Sequence, residues 1–174
     1  MVTIRPRAEA DVAPAAAVLV SVHQVDGYPV EGVSEPEKWL HPNGLLAAWV
    51  AADDGGVVGH VALSSPQAGD DAACLWRAHE SNDSRDVAVL GRLFVSPDAR
   101  GQAIGERLVS AVMDYAEKVH LVLVLDVMEK DRAAIRLYER LGWRLIGSAD
   151  HADGKGAVVP ARCYAFPGVA PDHP

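Results

Sequence analysis

The chain is 174 residues long, 49% hydrophobic and 23% charged, with a formal net charge of −8 at pH 7. These values are typical of a soluble globular protein of one domain, and the negative charge argues against a nucleic-acid-binding surface, which needs clustered basic residues. No apolar run reaches the roughly 20 residues that a membrane-spanning helix needs. The only cysteines, Cys74 and Cys163, form neither a disulfide framework nor a metal-ligand motif, which is typical of a reducing compartment. We therefore predict a cytoplasmic protein without nucleic-acid or membrane partners.

The first 43 residues contain one clear helical pattern. Alternating polarity predicts a short strand over residues 2–5, and apolar residues at helical spacing predict a helix over residues 9–22. Pro14 is compatible with that helix only in its first turn. Glycines and prolines then interrupt the pattern over residues 23–43, where only a short helix over residues 35–40 is predicted. Such a loop-rich, acidic segment often shapes the substrate side of an enzyme.

A β-hairpin is predicted next. Two apolar runs, residues 45–52 and 57–64, flank the turn sequence Asp-Asp-Gly-Gly. Gly59 in the second run predicts a bulge or a close approach of another backbone. The following segment is less regular, and in it residues 72–80 predict a short helix with Trp76 facing inward.

The most informative stretch joins a strand to a helix. Residues 87–95 are almost continuously apolar and predict a buried strand, which a proline and an aspartate end. Apolar residues over 104–119 then recur at helical spacing. The joining turn contains small residues that would let an anion approach the first amide groups of the helix, where the helix dipole is positive. Close packing of helix on strand explains the same residues equally well; they are Gly101, Ala103 and Gly105.

A second strand and helix follow. Residues 121–127 predict a strand buried on both faces, and a strand, a helix and a strand at this spacing predict a parallel pair. Asp131 is the expected N-cap of a helix over residues 132–140. Closing strands are predicted over residues 143–149 and 158–166. Together these elements predict an α/β fold with a mixed sheet of about six to seven strands flanked by helices.

The predicted elements belong to one domain. We find no internal repeat and no linker, so residues 1–166 are predicted to form a single domain. Residues 167–174 predict a flexible C-terminal tail, and residues 150–156 a flexible turn between the closing strands.

Two blocks resemble the signatures of the GNAT superfamily of N-acetyltransferases. The run from Arg100 to Gly105 resembles the Gln/Arg-x-x-Gly-x-Gly/Ala loop whose amides hold the pyrophosphate of acetyl-CoA. Residues 125–143 resemble the second family block, with Asp131 in place of an asparagine that contacts the pantetheine arm. Ala103 replaces the first glycine of the loop, and we expect it to keep a negative φ because a Cβ makes positive φ costly.

The resemblance implies an acetyl-CoA-dependent N-acetyltransferase with a GNAT-like sheet, in which the parallel strands splay to admit the pantetheine arm. The acetyl group would pass directly to a primary amine in a ternary complex. No metal ion is implied, and no histidine spacing indicates a metal site. The implied acetyl-CoA contacts are Leu93, Phe94, Val95, Arg100, Gly101, Gln102, Ala103, Ile104, Gly105, Glu106, Asp131 and Tyr138.

The resemblance also suggests catalytic roles. Tyr138 matches the family tyrosine that protonates the leaving thiolate, so it is the candidate general acid; on spacing alone it would be a core residue. A backbone N–H near Phe94 or Val95 would donate to the oxyanion. Asp126 is the candidate general base, with a purely structural carboxylate as the alternative. Other candidate bases are a chain of water molecules and the side chains of His79, Glu80 and Glu31.

The predicted acceptor is the primary amine of a small molecule. Acetylation of a protein amino terminus or lysine is the alternative within the same enzyme class. A CoA-binding sensor without turnover is the alternative from another class, because Ala103 and Asp131 depart from the family pattern at two ligand positions. The identity of the acceptor depends on residues 25–40 and 67–86. The sequence leaves the oligomeric state open, with a homodimer as one alternative.

Overall fold

The computed structural model describes residues 1–152 and 155–168. Predictions for residues 153–154 of the closing turn and for residues 169–174 of the C-terminal tail lie outside the described residues. The first half contains β1 (Thr3–Pro6), a 3-10 helix (Glu9–Asp11), α1 (Val12–Asp26), α2 (Pro36–Trp39), β2 (Leu45–Asp53), β3 (Gly56–Ser64) and α3 (Asp71–His79). The second half contains β4 (Val87–Val95), a 3-10 helix (Pro97–Ala99), α4 (Ile104–Lys118), β5 (Val122–Met128), α5 (Arg132–Arg140), β6 (Arg144–Ala152) and β7 (Val158–Phe166).

The seven strands form one mixed sheet in the order β1-β2-β3-β4-β5-β7-β6. Neighbouring strands pair antiparallel in β1–β2, β2–β3, β5–β7 and β6–β7. β4 and β5 pair parallel, with Val87, Ala88 and Val89 opposite residues 122–124. The mixed sheet flanked by helices and its parallel pair are therefore confirmed, whereas the splaying of that pair stays a prediction.

The first predicted helix is longer than its apolar pattern and begins differently. Residues 9–11 form the 3-10 helix, and Pro14 lies in the first turn of α1, where proline is tolerated. α1 continues to Asp26 because the chain ends it only at Gly27, which has a φ of 72° and donates its N–H to His23 O at 2.9 Å. Within the described residues, no helix combines the length and apolar character that a membrane crossing requires.

The end of α4 corrects another expectation. Val119 was expected to continue the apolar face of α4, but it follows the last helical residue and its side chain is 44% exposed. His120, with a φ of 59°, ends the helix, and Leu121 N–H donates to Ala116 O at 2.9 Å. This is the six-to-one hydrogen bond of a Schellman motif, which turns Val119 away from the apolar face.

The chain divides into two compact units, of which the first comprises Met1–Ser64 and Leu90–Val112. At its edge, the Arg5 guanidinium donates two hydrogen bonds to the Asp11 carboxylate, at 2.6 and 2.9 Å, and Ala8 N–H adds a third at 2.7 Å. These bonds satisfy a buried carboxylate and connect β1 to the start of α1. The core of this unit contains Val12, Ala15, Ala16, Leu19, Val22, Leu40 and Phe94.

The second unit comprises Ser65–Val89 and the described residues from Met113 onward. The predicted helix with an inward Trp76 is confirmed as α3, and Trp76 is only 3% exposed. A single domain over residues 1–166 stays a prediction. The core of the second unit contains Ala72, Ala73, Trp76, Val87, Val122, Val124, Cys163 and Ala165.

Candidate active site

The elbow, residues 93–106, lies in the first unit and joins the end of β4 to the start of α4. At the exit of β4, Ser96 N–H donates to Val58 O at 2.7 Å. Gly101 and Ala103, with φ values of 81° and 56°, then turn the chain into α4. Residues 100–103 are exposed, and the first helical residue, Ile104, is 2% exposed. The elbow therefore presents an exposed turn in front of the first amide groups of a 15-residue helix, which have no acceptor within the helix.

Ala103 corrects the expectation of a negative φ. Its backbone is left-handed, and its carbonyl accepts the first helical hydrogen bond, from Arg107 N–H at 3.0 Å. Ala103 therefore occupies the N-cap position of α4. The turn keeps the backbone conformation suited to the glycine of the family pattern, and the alanine bears a steric cost of about 1 kcal/mol.

We expect Ala103→Gly to raise the free energy of unfolding by about 1 kcal/mol, because glycine removes the Cβ that clashes at positive φ. Acetyl-CoA affinity should be unchanged in this variant, whereas the β-branched Ala103→Ile should lower both stability and affinity. Urea unfolding and isothermal titration calorimetry measure the two quantities. Ala133→Gly, at an exposed helical position, is the matched control and should destabilise by about 1 kcal/mol. Equal acetyl-CoA affinities of the glycine and isoleucine variants would reduce the elbow to a structural turn.

Gly59 on β3 explains how the elbow is held in place. A Cβ at Gly59 would lie 3.1 Å from Leu108 Cδ1, 3.2 Å from Phe94 O and 3.3 Å from Ile104 Cγ2. The β2–β3 ladder also shifts its register at Ala51, opposite Gly59. The sequence predicted a bulge or a close approach at this glycine, and the structure contains both.

The remaining predicted contacts of the elbow differ in what they can offer a ligand. Arg100 contacts both carboxylate oxygens of Asp26, with Nη1 3.2 Å from Oδ1, so its charge is shared with an internal partner. Phe94 and Ile104 bury their side chains and leave their backbone groups as possible contacts. Of the others, Gln102 is exposed, while Leu93, Val95, Gly105 and Glu106 are half-buried.

A buried histidine contacts β4 just before the elbow and stabilises the strand there. It was not predicted from the sequence as a site residue. His60 is fully buried, with Nδ1 2.9 Å from Arg92 O and Nε2 3.0 Å from Arg7 Nη1. Because a guanidinium only donates, Nε2 must accept, so the ring proton lies on Nδ1 and is donated to the Arg92 carbonyl. Burial, with the charges of Arg7 and Arg92, lowers the pKa of His60 to about 4. The ring is therefore neutral at physiological pH.

Arg92 has an unusual backbone for a residue inside a strand, with a φ of 56°. Its Nε donates to Trp39 O at 3.0 Å, and its guanidinium lies 4.5 Å from the centre of the Trp39 ring. A left-handed residue re-aims a strand as a β-bulge does. The contacts of His60 and Trp39 therefore fix the direction of the backbone just before Phe94 and Val95, where an oxyanion donor is predicted.

Asp126 lies in the second unit, on β5 opposite Cys163 of β7. Its side chain is 33% exposed, and His151 Nε2 on β6 lies 2.5 Å from its Oδ2. Burial raises the pKa of the Asp126 carboxyl above its ordinary value, and the charge of His151 opposes that rise. A raised pKa makes the ionised carboxylate a stronger base, but it also lowers the fraction of the carboxyl that is ionised. The sequence did not single out His151 as a neighbour of Asp126.

Tyr138 lies on α5 in the same unit and is 5% exposed, with its ring edge-on to Trp143 at 5.6 Å between centroids. Burial raises the pKa of its phenol, and the charges of Asp126 and Asp131 raise it further. Tyr138 is therefore protonated at neutral pH, as a general acid must be. Asp131 occupies the predicted N-cap position of α5, where its carbonyl accepts Ile135 N–H at 3.0 Å, but its side chain makes no capping hydrogen bond.

The other candidate bases are engaged or exposed. Glu31 Oε1 accepts a 2.6 Å hydrogen bond from Trp39 Nε1, and Glu80 Oε1 lies 3.5 Å from Arg144 Nη2. His79 is exposed at the end of α3. Among residues 1–152 and 155–168, no group of three or more His, Cys, Asp or Glu side chains is placed to hold a metal ion. Asp126, Asp131 and Tyr138 thus share one unit, and the elbow belongs to the other.

Comparison with known proteins identifies the family. Residues 17–143 match the model of the acetyltransferase (GNAT) family. An uncharacterized N-acetyltransferase of Methanocaldococcus jannaschii is 32% identical over 61% of this chain and 42% of its own length. The mycothiol acetyltransferase of Rhodococcus jostii is 31% identical over 62% of this chain and 32% of its own length, so the chain matches less than half of either relative.

The fold also resembles solved structures. The crystal structure of Arabidopsis thaliana NAA60 in complex with acetyl-CoA superposes with a TM-score of 0.72 at 17% identity, and covers 95% of this chain and 98% of that one. At 17% identity the superposition shows a similar fold and no more. The family assignment comes from the sequence match to the family model, which covers most of the chain. The chain therefore belongs to the GNAT family of acetyltransferases.

Proposed function

We propose that the chain is an acetyl-CoA-dependent N-acetyltransferase. The observation that carries this proposal is the elbow, in which a left-handed, exposed turn opens the start of a 15-residue helix in a member of the GNAT family. Amide groups at such a helix start, with the positive end of the helix dipole, suit the pyrophosphate of acetyl-CoA. The complex of the fold relative NAA60 with acetyl-CoA supports the same cosubstrate.

The proposed reaction is a direct transfer without a metal ion. Asp126 accepts a proton from the acceptor nitrogen, whose lone pair then forms a bond to the acetyl carbonyl carbon. A backbone N–H of Phe94 or Val95 donates to the oxygen that becomes negative. As the carbonyl re-forms, the carbon–sulfur bond breaks and Tyr138 donates its phenolic proton to the leaving thiolate. The excess proton on the new amide nitrogen returns to the Tyr138 phenolate, so that a neutral amide and free CoA thiol are released and Asp126 is left protonated.

The proposed acceptor is the primary amine of a small molecule. Two features support a cationic amine: the net charge of −8, and the carboxylates Asp70 and Asp71, which add negative potential at Asp126. Similarity to a mycothiol acetyltransferase favours a small acceptor over a protein. Acetylation of a protein amino terminus or lysine is the second candidate within the family.

The decisive experiment measures thiol released from acetyl-CoA with a panel of small amines and a panel of peptides. Release with small amines alone supports the proposal, and release with peptides alone supports protein acetylation. Tight acetyl-CoA binding by calorimetry, with no release on either panel, would instead indicate a CoA-binding sensor. Asp126→Asn in the same assay separates enzymatic transfer from spontaneous acetylation.

We also propose that the protein acts in the cytoplasm without nucleic-acid or membrane partners, as a monomer or a homodimer. Both cysteines are free thiols, and burial raises the pKa of Cys163 to about 11, so that this thiol stays protonated. Reduced cysteines suit a reducing compartment. Cell fractionation and light scattering measure location and oligomeric state.

A further inference from the structure

His151 and Asp126 form a close pair in the second unit. His151 lies on β6 and Asp126 on β5, and His151 Nε2 is 2.5 Å from Asp126 Oδ2. Their side chains are 32% and 33% exposed. The contact is a charge contact, because the ring nitrogen has no partner that meets hydrogen-bond geometry. The protonated ring therefore acts on Asp126 mainly through its charge.

The other groups that act on Asp126 oppose its ionisation. Burial favours the neutral acid, and the carboxylates Asp70 and Asp71 at the start of α3 repel a further negative charge. Across the ladder, Cys163 of β7 is a buried thiol, and Tyr138 of α5 is a neutral phenol whose pKa the Asp126 charge raises. Of these facing side chains, His151 is the one whose charge favours the ionised carboxylate.

A general base must be ionised before it can accept a proton, so the setting of Asp126 works against its proposed role. We propose that His151 is a positioning residue for the acetyl transfer, which keeps the Asp126 carboxylate ionised and available to accept the amine proton. This proposal rests on the proposed function for its catalytic meaning. Its electrostatic part concerns the free protein and can be measured without turnover.

The first test is a titration of the free protein. Carbon-13 NMR of carboxyl-labelled aspartate follows the ionisation of Asp126, and Asp126→Asn assigns its signal. In His151→Gln, the Asp126 titration should move to higher pH by about one unit, since an opposite charge at this distance typically lowers a carboxyl pKa by 1–3 units. His120→Asn is the matched control, because it removes an exposed histidine of the same unit and asparagine tolerates the left-handed φ of 59°. It should leave the titration of Asp126 unchanged.

The second test is the pH profile of kcat/KM with one amine, so that the ionisation of the acceptor cancels between variants. In His151→Gln, the acid limb of the profile should move to higher pH by about one unit. At pH values below the limb kcat/KM should therefore fall about tenfold, and at pH values above the limb it should stay near the native value. A uniform loss of activity at every pH, or an unmoved NMR titration, would overturn the proposal. An enzyme inactive before mutation would contradict the proposed function, while the NMR titration would still decide whether His151 controls Asp126.

Discussion

Tyr138→Phe should lower kcat by on the order of 100-fold and leave the Kd of acetyl-CoA within about twofold. The tyrosine ring is 5% exposed and packs edge-on against Trp143, so phenylalanine keeps its packing and removes only the hydroxyl. The lost group is the proposed proton donor to the leaving thiolate. Because burial, Asp126 and Asp131 raise the pKa of the phenol, the native enzyme should show no loss of this acid up to about pH 10.

Tyr164→Phe is the matched control for this prediction. Tyr164 is a fully buried tyrosine of the same unit, and its hydroxyl donates to Glu139 Oε1 at 2.8 Å. Its loss should lower the free energy of unfolding by about 1 kcal/mol and leave kcat unchanged. Steady-state kinetics and calorimetric binding of acetyl-CoA measure both variants. An unchanged kcat in Tyr138→Phe, or equal losses in the two variants, would remove the role of general acid.

Much of the fold can be predicted because apolar runs and turn residues agree along the chain. The predicted bounds of β4, α5 and β7, residues 87–95, 132–140 and 158–166, match the structure residue for residue. In each case a proline, glycine or aspartate next to the apolar pattern marks an end. α1 exceeds its prediction because the chain ends it at Gly27, beyond the last apolar residue of the pattern.

The site is less visible in the sequence, because its geometry comes from contacts between distant residues. The location of the elbow follows from its small residues, but the left-handed backbones of Ala103 and Arg92 do not, since a positive φ at a non-glycine residue depends on its surroundings. Arg92 owes its setting to His60 and Trp39, which belong to earlier elements. His151 meets Asp126 from another strand, so no local motif joins them.

His60 leads to the second large expected effect, a loss of stability in mild acid. Its pKa is lowered to about 4 in the folded protein, against 6.5 in the unfolded chain, so the folded state binds this proton less readily. The stability that depends on neutral His60 is therefore complete above about pH 6.5 and is lost as the pH falls toward about 4. The difference corresponds to about 3 kcal/mol. Protonation would place a cation between Arg7 and Arg92, and Nε2 could no longer accept from Arg7.

Urea unfolding of the native protein and of His60→Asn, at pH 7 and at pH 5, isolates the contribution of His60 to the pH dependence of stability. The variant should be less stable at pH 7, because it loses the packing of the ring on Phe94, at 5.2 Å between centroids, and one or both of its hydrogen bonds. It should also lose less stability than the native protein between the two pH values. Asp11, whose pKa is lowered chiefly by its hydrogen bonds from Arg5, contributes mainly below pH 4 and is common to both proteins, so it cancels. Equal losses in the two proteins would mean that another group titrates, and that the contact of His60 with β4 tolerates a charged ring.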